Sequence, residues 1–233
     1  MVNSDDQQAH ADSGLLLYPQ LRQLWQQALD LVFPPSCYHC GRVDVNFCGR
    51  CQAELRTDTF HPIHTDVLPL VDVISGTQHV GLPQAAVQAL KYGGQRHVGA
   101  ILAQRLYLLL QTIDWRFDTI IPVPLHTLRL QRRGYNQAKE ISIHLATLCN
   151  SQHQDEILIR QVQTESQVGL NRIERLQNVH NAFYVTTTLK GETVLLVDDV
   201  KTTGATLIAC AEALLANGAS QVYGITVTAA ERL

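Results

Sequence analysis

The segment that most constrains the fold is residues 194–206, which read VLLVDDVKTTGAT. Its apolar, β-branched beginning is typical of a buried central strand. Two adjacent acids, Asp198 and Asp199, follow, and then threonines around a single glycine. Because ligands of open α/β sheets bind at the carboxyl ends of the strands, the segment predicts an α/β fold with a ligand site at this strand end.

Strand and helix patterns alternate on both sides of this segment, which favours a mainly parallel sheet with flanking helices. The predicted strands are residues 70–76, 118–124, 156–160, 182–186 (an edge strand), 193–199 and 221–228. The predicted helices are residues 83–91, 97–111, 136–149 and 204–217, with a polar helix or a turn at 170–180.

The N-terminal part of the chain has a different character. Residues 1–14 are polar and have almost nothing to bury, which predicts a disordered leader. Apolar residues at three- and four-residue steps predict an amphipathic helix over residues 15–33, stopped by two prolines. We therefore expect a leader (1–14), a helix with a cysteine module (15–60) and an α/β domain (61–233).

Composition excludes some classes of protein. The formal net charge of −3 excludes a surface that is basic throughout and binds nucleic acid by charge alone. Any contact with nucleic acid therefore requires a local basic patch. No apolar run approaches the roughly 18 residues that a membrane span needs. The acidic N-terminus lacks the basic region of a signal peptide. These features predict a cytoplasmic protein without a membrane span.

The turn after the two acids has the chemistry of an anion site. Free amides at the start of a helix carry the positive end of its dipole, and threonine hydroxyls add further donors. The acids, which repel phosphate, suit sugar hydroxyls, directly or through a hydrated divalent cation. The alternative is an ordinary helix cap. The candidate ligand-binding residues are Asp198, Asp199, Thr202, Thr203, Gly204, Ala205 and Thr206.

Four of the six cysteines fall within fifteen residues, as two pairs with a two-residue gap. They are Cys37, Cys40, Cys48 and Cys51. Four thiolates at this spacing close a tetrahedral shell around one ion, which predicts a structural Zn²⁺ site. A redox dithiol pair, an iron–sulfur cluster and two disulfides are the alternatives. His39 is interpreted as a surface residue, and Cys149 and Cys210 as buried core thiols.

Residues 119–139 contain several cations and no acid. Arg129, Arg132 and Arg133 suit pyrophosphate or another polyanion, because one guanidinium group can donate two parallel hydrogen bonds to phosphate oxygens. The alternative is a solvated helix face. Lys91 is either another phosphate contact or a cation favoured at a helix end.

The residues 194–206 resemble the phosphoribosyl pyrophosphate (PRPP) loop of type I phosphoribosyltransferases. Together with the cysteine pairs and the segments at 90–94 (LKYGG), 121–137 and 164–172 (TESQVGLNR), they resemble the ComF family over about residues 25–230. In ComF proteins a zinc finger precedes a phosphoribosyltransferase-like domain. Lys201 departs from the pattern, which usually has an apolar residue there. We interpret it as solvent-facing, and a contact with the diphosphate is the alternative.

The resemblance implies a type I phosphoribosyltransferase-like fold and a PRPP site used with Mg²⁺. Asp198 and Asp199 would face the ribose and residues 202–206 the 5′-phosphate, while residues 123–126 would form the pyrophosphate loop and 164–175 a closing loop. It also implies an association with DNA uptake.

Two hypotheses stay open. The first is transfer of ribose 5-phosphate to an unknown acceptor. The second is a non-catalytic module, with a regulatory nucleotide site, that binds single-stranded DNA or DNA-uptake proteins. The sequence shows no evident general base and no region that would select a nucleobase.

Overall fold

The computed structural model describes residues 34–160 and 182–230. The leader at 1–14, the helix predicted within 15–33, the helix or turn at 170–180 and the closing loop at 164–175 therefore lie outside the described residues.

A six-stranded sheet forms the centre of the molecule, in the order β1-β2-β8-β7-β3-β4. Its strands are β1 (Ile63–Thr65), β2 (Val73–Gln78), β3 (Thr119–Pro122), β4 (Gln152–His153), β7 (Thr193–Lys201) and β8 (Gln221–Ala229). Only β1 runs antiparallel to its neighbour. Strand β7 lies inside the sheet, and its apolar residues Val194 to Val197 are fully buried, as expected of a parallel strand covered on both faces.

Helices cover both faces of this sheet. They are α1 (Gly49–Thr57), α2 (Gly81–Tyr92), α3 (Val98–Leu110), α4 (Thr127–Arg133), α5 (Gln137–Cys149) and α6 (Ala205–Ala216). One buried cluster joins α2, α3 and α5 to Leu195 and Val197 of β7, and it includes the cysteine module. The other cluster joins α6 to Val194 and Leu196 on the opposite face. The chain thus has the predicted fold of the type I phosphoribosyltransferases.

The differences from the predicted elements have simple physical reasons. The strands β5 (Leu158–Arg160) and β6 (Phe183–Val185) pair with each other in a separate two-stranded sheet and do not extend the main one. Their buried side chains, Leu158, Phe183 and Val185, pack in the α6 cluster. Helices α1 and α4 and strands β1 and β4 were not predicted. They span only nine, seven, three and two residues, too few for a clear periodic pattern.

The carboxyl ends of β2, β3, β7 and β8 meet at one edge of the sheet, because these strands are parallel. Asp198 and Asp199 lie near the carboxyl end of β7, and residues 202–206 follow it directly. Within residues 34–160 and 182–230, every helix is too short or too polar to cross a lipid bilayer.

Candidate functional site

The two acids at the end of β7 have different neighbours, since successive residues of a strand point to opposite faces. Asp199 forms an ion pair with Lys91 at the end of α2, with 2.7 Å between Oδ1 and Nζ. The side chains of Asp199 and Lys91 are only 10% and 21% exposed. The ion pair therefore fixes the end of α2 against the end of β7.

Asp198 lies half-buried on the other side of the strand. Its Oδ1 accepts a hydrogen bond of 2.8 Å from the Asp199 amide. Burial, and then the negative charge of Asp199, raise the pKa of Asp198 to about 7, although Lys91 and Arg160 act in the opposite direction. Near neutral pH the carboxyl pair thus carries less than two negative charges, which reduces its repulsion of an anionic ligand.

The turn after β7 presents free donors. The amides of Thr202, Thr203 and Gly204 make no hydrogen bond to other residues in the part of the chain that the structure describes, whereas the Ala205 amide donates to Thr203 Oγ1 at 3.4 Å. Gly204 has a φ of 80°, which a glycine adopts without strain. Thr202 and Thr203 are exposed, and Thr206 is half-buried in the first turn of α6.

The loop after β3 is held beside this turn. The Val123 amide donates to the Val197 carbonyl of β7 at 2.9 Å, and the Val123 carbonyl accepts from Asn136 Nδ2 at 2.9 Å. The same Asn136 caps α5 by accepting from the Ala138 amide. Residues 123–126 are therefore anchored to both β7 and α5.

The structure brings together all four cations that the sequence singled out. Lys91, Arg129, Arg132 and Arg133 line one cavity of about 660 Å³, with Tyr92 and Tyr135. We call this cavity the basic groove. The arginines do lie on a short helix, α4, but they face this cavity together with Lys91.

The charges of the groove are largely uncompensated. None of its three arginines pairs with a carboxylate of the described chain. Arg133 donates to Gln137 Oε1 and stacks 5.3 Å from the centre of the exposed Tyr92 ring. Tyr135 donates its hydroxyl to the Leu90 carbonyl, which ties the groove to α2.

Two residues at this site were missed by the sequence analysis. His79 follows β2 directly, and its Nδ1 lies 2.7 Å from Thr228 Oγ1. Burial, and then the charge of Lys91, lower its pKa. Arg160 ends β5, where burial, and then Arg129, lower its pKa. His79 directly follows a short apolar strand and Arg160 ends one. This position in the sequence could have identified both as candidate site residues. Lys201 is half-buried and was expected to face solvent.

The four cysteines of the N-terminal module form a candidate metal centre. Their sulfur atoms all lie within 4.8 Å of one another. Cys37 and Cys51 are 3.8 Å apart, Cys40 and Cys48 3.6 Å, and Cys48 and Cys51 3.5 Å. A tetrahedral ion with Zn–S bonds of about 2.3 Å places its sulfurs about 3.8 Å apart, so the cluster fits Zn²⁺.

The surroundings of the cluster favour a thiolate at Cys37 but not at Cys51, whose pKa is raised by burial and then by the hydrogen bond with Cys48. The Cys48 amide donates to Cys37 Sγ at 3.4 Å. Burial opposes ionisation of Cys37, but backbone N–H groups of Cys40, Cys48 and His39 outweigh it and lower the pKa to about 6. His39 is exposed, as predicted.

The other two cysteines lie outside the cluster. Cys210 is fully buried, as predicted. Cys149 is only half-buried, because it ends α5 at the rim of a separate cavity, and burial raises its pKa to about 11.

Comparisons with known proteins agree with this architecture. The phosphoribosyl transferase domain model matches residues 96–232. Competence protein F of Haemophilus influenzae is 32% identical over 206 residues, which cover 82% of this chain and 84% of that protein. The chain therefore belongs to the phosphoribosyl transferase domain family. Within it, the chain is a member of the ComF family.

Two further matches cover less of this chain. DNA utilization protein YhgH of Escherichia coli (strain K12) is 32% identical over 143 residues, which cover 58% of this chain and 62% of YhgH. Among solved structures, the glutamine PRPP amidotransferase of B. subtilis has a TM-score of 0.40 and 15% identity, over 60% of this chain and 30% of that one.

Proposed function

We propose that the protein binds PRPP, with Mg²⁺, at the carboxyl edge of its sheet. The observation that carries this proposal is the Lys91–Asp199 ion pair. It joins the end of α2, which carries Lys91 and Tyr92 of the basic groove, to the end of β7, which carries both carboxylates. This proximity supports a ligand whose diphosphate lies in the groove and whose ribose lies beside the carboxylates.

Each part of the ligand has matching residues. The arginines of the groove suit the diphosphate, and the free amides of residues 202–204 suit the 5′-phosphate. Asp198 accepts hydrogen bonds from the ribose hydroxyls. Because Asp199 is already paired with Lys91, Mg²⁺ would bind mainly to the diphosphate oxygens and water.

Such a site supports transfer of ribose 5-phosphate. The bond between C1 and the diphosphate oxygen breaks, the acceptor bonds to C1, and pyrophosphate leaves with the bond's electron pair. Arg129 and Arg132 stabilise the charge of the leaving group. The acceptor loses its proton to His79, whose lowered pKa keeps it neutral near pH 7.

Calorimetric titration with PRPP, ribose 5-phosphate and Mg²⁺ tests the binding. We expect PRPP to bind about a hundredfold more tightly than ribose 5-phosphate, at about tenfold for each of Arg129 and Arg132. The double variant Arg129→Ala/Arg132→Ala should remove this preference. Arg116→Ala is the control, since Arg116 is 90% exposed and paired with Asp114 before β3. Absence of heat with millimolar PRPP and folded protein would refute the proposal.

A second function has support in the exposed Tyr92 beside Arg133 and in the relatives' names, Competence protein F and DNA utilization protein. A stacking ring among uncompensated arginines suits single-stranded DNA, and we propose this association with DNA uptake in the cytoplasm. Band shifts over a salt series test it. Each arginine removed should flatten the log–log salt dependence by about 0.7, and a shift independent of salt would contradict it.

We propose zinc as the ion of the cysteine cluster, in a closed structural site. Elemental analysis of the purified protein should give one zinc per chain. Cys48→Ser should abolish it, and Cys210→Ser should not. Iron, or intact disulfides under reducing conditions, would contradict this assignment.

A further inference from the structure

The cysteine module touches the basic groove at one point, the turn that ends α2. Asn46, two residues before Cys48, donates from Nδ2 to the Gly93 carbonyl at 3.1 Å. Gly93 follows directly after Lys91 and Tyr92, which line the groove. This hydrogen bond links the module to the backbone that carries two groove residues.

The contact is also close-packed. A Cβ atom at Gly93 would lie 2.8 Å from Asn46 Cβ and 3.2 Å from Tyr38 Cε2. These distances are too short for a side chain larger than hydrogen, so the module lies directly against this turn. On the other side of the turn, the Leu90 carbonyl accepts the Tyr135 hydroxyl.

Asn46 is itself held by the metal-binding fold. Its carbonyl accepts from the Tyr38 amide at 3.0 Å, which connects the two cysteine pairs. Cys48 belongs to the same buried cluster as Leu90 of α2. The position of Asn46 thus depends on the closure of the cysteine cluster. The Gly93 carbonyl also accepts a longer hydrogen bond, of 3.4 Å, from Gln95 Nε2, but Asn46 is its shorter partner and the one that comes from the module.

We infer that the cysteine module positions the basic groove, with Asn46 as the positioning residue. The module holds the end of α2 so that Lys91 reaches Asp199 and Tyr92 lies beside Arg133. The metal is then needed for the shape of the anion site as well as for the fold of the module. The part of this inference that concerns diphosphate affinity rests on the proposed function, and the part that concerns the turn does not.

The test compares Asn46→Ala with Glu54→Ala, a control at an exposed position of α1 in the same module. Amide hydrogen exchange is followed at residues 91–94, zinc content by elemental analysis, and affinity for Mg²⁺-pyrophosphate by calorimetry. In Asn46→Ala we expect exchange at residues 91–94 to be about fivefold faster and affinity to fall by a similar factor, as for one lost hydrogen bond, with zinc retained. Glu54→Ala should change neither.

The outcomes distinguish the positioning role of Asn46 from the proposed binding of PRPP. If zinc-loaded Asn46→Ala exchanges its amides at residues 91–94 at the same rate as the wild-type protein, the inference is overturned. Loss of zinc from Asn46→Ala would overturn it as well, because the residue would then act on the metal site. If the wild-type protein does not bind pyrophosphate, the proposed function fails, and the exchange comparison still decides the positioning role.

Gly93→Ala is a second, independent variant. Its added methyl group would lie 2.8 Å from Asn46 Cβ and 2.9 Å from the Ala89 carbonyl oxygen of α2, so the turn must shift away from the module, from α2 or from both. Exchange at residues 91–94 should accelerate while zinc stays bound. Unchanged exchange in this variant would also contradict the inference.

Discussion

The ion pair between Lys91 and Asp199 joins the two halves of the site, and its removal should weaken the whole fold. At 2.7 Å and an effective dielectric constant of 20, the attraction between the two charges is about 6 kcal/mol. Much of this offsets the cost of removing both groups from water. Lys91→Met leaves Asp199 buried without its partner, a situation that costs about 3–5 kcal/mol.

A double-mutant cycle isolates the interaction. We expect Lys91→Met to lower the free energy of unfolding by about 3 kcal/mol. Asp199→Asn should lower it by about 2 kcal/mol, since the longer lysine side chain can reach water. The double variant should also lose only about 2 kcal/mol, which gives a coupling energy of about 3 kcal/mol.

Urea unfolding followed by circular dichroism measures these values at pH 7.5. Lys190→Met, at an exposed lysine, is the control and should be nearly neutral. If the losses of the two single variants add in the double variant, the ion pair does not couple α2 to β7. The argument that the ion pair joins both halves of the site would then lose its support.

Three further predictions concern other parts of the molecule. The pKa of Asp198 is raised from 3.8 to about 7, so its contribution to stability is fully present below about pH 4 and is lost as the pH rises through 7. Thermal melts at pH 8 should therefore show Asp198→Asn to be about 2 kcal/mol more stable than wild type, after allowance for partial solvent access. An equal advantage at pH 4 would contradict this. Gly204→Ala should lower the free energy of unfolding in urea by about 1–2 kcal/mol, because the φ of Gly204 is 80° and an added Cβ would lie 3.3 Å from Val67. Gly49→Ala, at an open helical position with a negative φ, is the control. Equal effects of the two substitutions would contradict the argument from backbone strain. Removal of zinc by a chelator should lower the melting temperature, because the metal's binding energy is part of the folding energy of the module, and zinc should restore it; an unchanged melting curve would speak against a structural ion.

The sequence was sufficient to predict the elements that depend only on neighbouring residues. Residues 193–199 form a buried strand in any parallel sheet, and the structure extends this strand only to Lys201. The cysteine spacing likewise determines the cluster, because a two-residue gap brings two sulfurs to one ion. The assignment to the ComF family depended on the order of these motifs along the chain.

What the sequence could not supply are contacts between distant segments. Lys91 and Asp199 are 108 positions apart, and nothing local indicates that they form an ion pair. The raised pKa of Asp198 depends on burial, which a residue pattern does not measure. The same holds for Asn46 and Gly93, which meet only because the cysteine module shares its core with α2.

The distribution of charge is compatible with the proposed binding of a polyanion by an acidic chain. The formal net charge is −3, and a uniform surface of this charge would repel PRPP and DNA alike. The basic groove instead concentrates four cations around one cavity, and the raised pKa of Asp198 reduces the negative charge beside them near neutral pH. At physiological ionic strength charges beyond about 8 Å are largely screened. A ligand in the groove therefore responds to these local cations far more than to the acidic remainder of the chain.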